Sequence, residues 1–142
     1  MDKMIENRDA VNKWMERFGV RFGVYKNGVF KEQLFPFDAI PRVIPKEDWD
    51  YLEKGLIQRV DALNLFLNDV YHEKKIIKDG IIPAEFIYSS KGYLPECEGV
   101  SPIHDIYSHI SGIDLVQAKD NRWFVLEDNL RIPSGASYPM IA

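Results

Sequence analysis

The chain has 142 residues, of which 46% are hydrophobic and 28% charged, and its formal net charge is −4. These values exclude a disordered or low-complexity chain, and the scattered lysines and arginines argue against a nucleic-acid-binding face. The single cysteine excludes an intramolecular disulfide. The first ten residues lack the apolar run of a signal peptide and no segment is apolar enough to span a membrane, so we expect a single cytoplasmic domain.

The first part of the chain predicts a helix followed by a hairpin. Apolar residues recur at near-helical spacing before Gly19, which is a plausible helix stop: Met4, Val11, Met15 and Phe18. Alternating apolar residues between positions 20 and 37 are interrupted by Asn27 and Gly28, the pair typical of a tight type I′ turn. We therefore expect an amphipathic helix and a β-hairpin.

A rigid connector follows in FPFDAIPRVIP, residues 35–45, because its three prolines rule out a continuous helix. Arg42 lies in this connector. Its guanidinium could bind the carboxylate of a substrate, which makes it a ligand-binding candidate, or it could brace the loop against a nearby acid.

The middle of the chain predicts the longest helix. One apolar stripe steps by three or four residues for six turns: Trp49, Leu52, Leu56, Val60, Leu63, Leu67 and Val70. Gly55 would kink this helix or divide it in two. A turn at residues 78–80, a short helix opening at Pro83 and a long irregular segment at 89–102 follow.

A second hairpin is predicted from two strand-like runs, residues 106–118 and 123–130, joined by a short polar turn at 119–122. Strict alternation would place Trp123, Val125, Glu127 and Asn129 on one face of the second strand. A turn of even length would set Asp114 opposite Glu127 and Gly112 opposite Asn129. A three-residue turn would slide this register by one.

Two carboxylates facing each other are destabilising unless a cation lies between them. Mg²⁺ prefers oxygen ligands, and one or two protein carboxylates together with substrate phosphates usually hold it. Asp114, Glu127 and Asn129 are therefore candidate metal ligands, and the absent side chain at Gly112 would leave room for a ligand. The alternative is an exposed polar strand end with no ligand. In the Pro-Ser-Gly loop that follows, Ser134 and Gly135 could present backbone N–H groups to an anion or form an ordinary turn.

HISGIDLVQAKDNRWFVLEDNLRIPSGASY, residues 109–138, closely resembles the metal-binding hairpin of the circularly permuted ATP-grasp proteins, the group related to glutathionylspermidine synthase. FPFDAIPRVIP and LNLFLNDVYHEKKIIKDGIIPAEF also resemble the N-terminal region of that group. The resemblance implies an α/β (α+β) fold of antiparallel hairpins packed with amphipathic helices, as part of an ATP-grasp-like ligase. It also implies that ATP phosphorylates a carboxylate to an acyl phosphate, which an amine then attacks.

By this resemblance Asp114, Glu127 and Asn129 correspond to Mg²⁺ ligands that bridge the ATP phosphates. Arg131 corresponds to the catalytic basic residue that neutralises charge on the transferred phosphoryl group. Members of the group are much longer, and the lysines and glycine-rich flap that clasp the nucleotide follow the hairpin. We therefore expect residues 1–142 to be an N-terminal fragment that is inactive alone and could self-associate. The alternative is a non-catalytic structural or protein-interaction module.

Overall fold

A computed structural model describes residues 2–35, 37–38 and 40–141 of the chain. Within this part the elements are α1 (Asp2–Arg17), β1 (Arg21–Lys26), β2 (Val29–Leu34), α2 (Lys46–Tyr71), α3 (Lys75–Lys78), α4 (Ala84–Tyr88), β3 (Gly112–Gln117), β4 (Trp123–Asn129) and α5 (Ser137–Ile141). The strands form two separate antiparallel hairpins, β1–β2 and β3–β4. This mixed architecture of hairpins and helices confirms the predicted fold class.

The chain divides into two compact units. The first holds the residues up to Pro45 together with those from Ser137 onward, and the second holds Lys46–Ala136. The expectation of a single domain stays a prediction, because compact units of this size can belong to one folding domain.

The N-terminal unit contains the predicted helix and hairpin. Helix α1 ends at Arg17, and Gly19 follows with φ +66°, a backbone conformation that favours glycine. Asn27 and Gly28 both have positive φ values, 54° and 77°, which confirms the tight turn between β1 and β2. The connector continues without helix or strand, and two of its residues, Pro36 and Ala39, lie outside the described residues.

Helix α2 is the main support of the second unit. It runs continuously for 26 residues, so Gly55 does not divide it. Leu52 and Val70 are its buried residues, 6% and 3% exposed. In the last turn of α2, the carboxylate of Asp69 accepts the backbone N–H groups of Lys75 and Ile76, both at 2.9 Å, and so caps the short helix α3 that follows.

The strand predicted from residue 106 begins only at Gly112. The reason is that helix α2 binds the backbone before it. The side-chain oxygen of Asn64 accepts the N–H groups of Tyr107 and Ser108, at 2.8 and 3.1 Å, and these groups are therefore not available to a neighbouring strand. The long irregular segment predicted at 89–102 is present and contains only a short 3₁₀ turn at Pro95–Cys97.

Candidate metal centre

The register of the second hairpin changes along its length. In the half distant from the turn, Asp114 faces Glu127 and Gly112 faces Asn129, as the sequence predicts. In the half near the turn, Leu115 faces Val125, so Leu126 is an extra residue on β4. This arrangement is a β-bulge, in which two residues of one strand oppose one residue of the other.

The turn itself differs from the prediction of even length. The N–H of Ala118 donates to the carbonyl of Arg122 at 2.8 Å, which leaves three residues in the loop, and Asn121 takes a positive φ of 64°. An odd-length turn alone would have shifted every facing pair by one position. The bulge at Leu126 compensates for that shift, and the facing pair of acids is retained for a different reason from the one predicted.

The predicted faces of β4 are wrong for the same reason. Trp123 and Val125 are half-buried and line a groove together with side chains of α2, whereas Phe124 and Leu126 are 45% and 69% exposed. Trp123 and Val125 therefore lie on the helix side of the hairpin. Asp128 also lies on that side, where it binds Arg59 of α2. Glu127 and Asp114, by contrast, are exposed. The bulge therefore places Asp114 and Glu127 on the opposite face from Trp123 and Val125, whereas strict alternation would have placed them on the same face.

Three oxygen-bearing side chains lie on the open face of the hairpin, which is the face away from α2. The side-chain amide nitrogen of Asn129 donates to Oε1 of Glu127 at 3.2 Å, so its oxygen is left to accept or to coordinate. Asp114 faces Glu127 across the hairpin, and neither acid takes part in an ion pair with another residue in the described part of the chain. Two carboxylates and an amide oxygen are a donor set that suits Mg²⁺ or Mn²⁺.

This donor set is small. Within residues 2–35, 37–38 and 40–141, no group of three or more His, Cys, Asp or Glu side chains is placed to hold a metal ion. A cation at Asp114 and Glu127 would therefore keep water molecules or take oxygen atoms from a bound phosphate to complete its coordination.

Gly112 does not leave room for a ligand, contrary to the expectation. A Cβ atom at Gly112 would lie 2.8 Å from Cβ of Pro133 and 3.6 Å from Cβ of Asn129. The space is filled by the Pro-Ser-Gly loop, which packs directly on the start of β3. Gly112 is therefore a position of close approach between two segments.

Arg131, Ser134 and Gly135 follow the end of β4, and all three are exposed. Ser134 begins a 3₁₀ turn, Ser134–Ala136, and its N–H donates to the carbonyl of Ile132 at 2.8 Å. Gly135 follows Ser134 in the same turn, and the anion-binding role of both residues stays a prediction. Arg42 lies exposed in the connector of the N-terminal unit, and its ligand-binding role stays a prediction.

Arg59 and Asp128 are two residues of the site that the sequence interpretation did not identify. Nε and Nη2 of Arg59 donate to the two carboxylate oxygens of Asp128, each at 2.7 Å. These hydrogen bonds lower the pKa of Asp128 below its usual value and raise that of Arg59. The two residues are 69 positions apart, so local patterns give no signal.

The chain matches the family model of circularly permuted ATP-grasp type 2 over residues 41–142. An uncharacterized protein of Synechocystis sp. is 50% identical over 120 residues, which are 84% of this chain and 25% of that protein. The putative glutamate–cysteine ligase 2-2 of Frankia casuarinae is 46% identical over 106 residues, which are 75% of this chain and 12% of that protein. No solved structure matches the chain. None of the helices in the described part is both long and apolar enough to cross a membrane.

Proposed function

Since the chain belongs to the circularly permuted ATP-grasp type 2 family, we propose that it supplies the metal-binding portion of an ATP-dependent carboxylate–amine ligase. Such a ligase forms an amide through an acyl phosphate. Two Frankia relatives carry the name putative glutamate–cysteine ligase, which also denotes amide formation. The chain spans 25% of the Synechocystis relative and 12% of the Frankia casuarinae relative. The activity of the whole protein and its cytoplasmic location are therefore parts of this proposal.

The observation that carries the proposal is the position of Asp114 opposite Glu127, with Asn129 on the same open face. Two facing carboxylates without a cation repel each other, and this repulsion costs folding free energy. A bound Mg²⁺ would neutralise the phosphate oxygens of ATP at this face. In the same proposal, Asp114 and Glu127 hold the cation by charge, while Asn129 adds a neutral oxygen and fixes Glu127 by its hydrogen bond.

The residues after β4 act on the anionic side of the reaction in this proposal. Arg131 lies two positions beyond Asn129, and its planar guanidinium can donate two parallel hydrogen bonds to a phosphoryl group. Gly135, Ser134 and Arg42 are the remaining ligand-binding candidates. Arg131 thus stabilises the negative charge that is transferred, and it is the proposed catalytic residue.

Thermal melts of wild type and Asp114→Asn, with and without Mg²⁺ or Mn²⁺, test the metal site. Without metal, the variant should be more stable by up to about 1 kcal/mol, because it removes one of two facing charges. With metal, only the wild type should gain stability. The control is Glu53→Gln, which removes one exposed negative charge from α2 and should respond to metal as the wild type does. A metal response that is equal in wild type and Asp114→Asn would refute the site, and the non-catalytic module predicts that outcome.

The 142 residues alone should not turn over ATP. Phosphoryl transfer needs positioning and charge neutralisation from several sides at once, and Arg131 supplies them from only one. The measurement is Mg²⁺-dependent ADP release in the presence of mixed carboxylates and amines. Steady release above that of a Glu127→Ala variant would contradict this expectation.

A further inference from the structure

Strand β4 could pair with β3 in two registers, one with the bulge and one without it. The two registers differ in which acid, Glu127 or Asp128, lies on the open face. If the register near the turn continued without a bulge, Asp114 would face Leu126 and Ile113 would face Glu127. Ile113 lines a groove against α2, so Glu127 and Asn129 would then turn toward the helix. A shift by one residue moves every side chain beyond it to the other face of the hairpin.

The contact between Arg59 and Asp128 distinguishes these registers. With the bulge, Asp128 lies on the helix side and receives two hydrogen bonds of 2.7 Å from Arg59. Its side chain is only 16% exposed. Without the bulge, Asp128 would face outward opposite Gly112, and Glu127 would take its place beside Arg59. Arg59 can therefore pair with either acid, and the acid that it binds leaves the other one for the open face.

We propose that Arg59 is a positioning residue that selects Asp128 and thereby fixes the bulge that presents Glu127 and Asn129 on the face of Asp114. Neither Arg59 nor Asp128 contacts the cation in this scheme. Each acts through the register of β4, whose two residues flanking Asp128 are the proposed metal ligands. The inference rests on the proposed function in one respect, that Asp114, Glu127 and Asn129 bind a metal ion. The selection of the register by Arg59 rests on the geometry of the hairpin alone.

The variant Asp128→Ala tests the selection directly. It leaves Arg59 without its partner, so Glu127 should be drawn to the helix side. NMR should show the cross-strand NOEs of Asp114 moving from Glu127 to Leu126, and Mn²⁺ affinity should fall about tenfold although no proposed ligand has changed. The matched control is Asp50→Ala, which removes the acid that pairs with Lys46 on α2 and should change neither measurement.

The double variant Asp128→Ala with Arg59→Met separates positioning from simple stabilisation. Once no cation on α2 attracts Glu127, its carboxylate should return to the solvent-exposed face, because a charge held against α2 without a partner is costly, and the bulged register should be restored. The NOE between Asp114 and Glu127 should therefore return, together with most of the Mn²⁺ affinity. If the pair only stabilises the hairpin, the double variant will be no better than the single one.

Three results would overturn the inference: wild-type NOEs in Asp128→Ala, unchanged Mn²⁺ affinity in a variant whose register has moved, or no recovery in the double variant. If Asp128→Ala does not fold, Asp128→Asn, which keeps the side-chain volume, takes its place in the NOE measurement. Failure of the wild type to bind Mn²⁺ would contradict the proposed function, while the NOEs would still decide whether Arg59 selects the register.

Discussion

Gly112 shows how the absence of one side chain joins two segments of the site. Its α-carbon lies against Pro133, and the Pro-Ser-Gly loop thus packs on the residue that faces Asn129. The sequence interpretation expected the missing side chain at Gly112 to leave room for a ligand, and this expectation was wrong because Pro133 fills the space. It could not identify the neighbour, because Pro133 is 21 positions further along the chain and no local pattern relates the two.

Gly112→Ala should therefore destabilise the protein by about 1–3 kcal/mol, the range for overpacking a tightly packed position. The added Cβ would lie 2.8 Å from a proline ring atom, which cannot rotate away. Chemical denaturation measures the change. Gly135→Ala is the control, because a Cβ there would meet nothing within 4 Å. Equal stability of the two variants would show that Pro133 is not held against Gly112.

The facing acids and the ion pair on the other side of β4 differ in how far they can be predicted. Asp114 and Glu127 belong to one hairpin, so their pairing can be predicted from alternation and turn length. The prediction assumed an even-length turn and no bulge, and these two errors of one residue cancelled. Arg59 and Asp128 are 69 positions apart. Their contact depends on how α2 lies on the hairpin, and this is a property of tertiary packing.

At the level of elements, local signals identified both hairpins and the long helix. The apolar stripe of α2 outweighed Gly55, whose cost in a helix interior is only about 1 kcal/mol relative to alanine. The start of β3 was predicted too early because Asn64 binds the preceding backbone. The periodicity of apolar residues predicts helices and strands, but it does not show which backbone groups are hydrogen-bonded to a side chain elsewhere in the chain.

The cap on helix α3 makes a pH prediction possible. The hydrogen bond from the N–H of Ile76 is the main cause of the lowered pKa of Asp69, and the N–H of Lys75 adds to it. A carboxyl group with a lowered folded-state pKa stabilises the protein above its unfolded value, about 3.8, and loses that contribution as pH falls through the folded value.

Asp69→Ala should accordingly lower the Tm by a few degrees at neutral pH, and the difference from wild type should shrink as pH falls below about 4. Thermal melts between pH 2 and pH 7 provide the comparison. Other carboxylates titrate over the same range, so the quantity of interest is the difference between the two proteins at each pH. A difference that does not change with pH would exclude a charged cap.

At the scale of the whole molecule, few apolar side chains are buried. In the described part of the chain, Met15, Leu52 and Val70 are the buried apolar residues. Helix α2 also carries exposed ones, among them Ile57 and Leu65, which are 57% and 71% exposed. The sequence shows which residues are apolar, but its patterns could not predict which of those residues would stay exposed.

Exposed apolar surface of this kind favours association, and we expect the sedimentation coefficient of the chain to rise with concentration. Ile57→Lys combined with Leu65→Lys should reduce that rise, because each change places a charge on the exposed face of α2. Gln58→Lys, which adds charge without removing an apolar side chain, is the control. A wild-type coefficient that stays monomeric at high concentration would contradict the expectation.

The bulge at Leu126 also determines how the hairpin should respond to the deletion of one residue. If Leu126 were deleted, β4 would read Trp-Phe-Val-Glu-Asp-Asn, and simple alternation would then place the tryptophan, valine and aspartate on the helix side and the glutamate and asparagine outside. The strand thus behaves as a regular strand that carries one added residue. A protein that lacks Leu126 should fold and keep its acids paired, whereas deletion of Val116 from β3, which has no compensating bulge, should turn Asp114 toward the helix. Melting curves with and without Mn²⁺ would separate the two deletions.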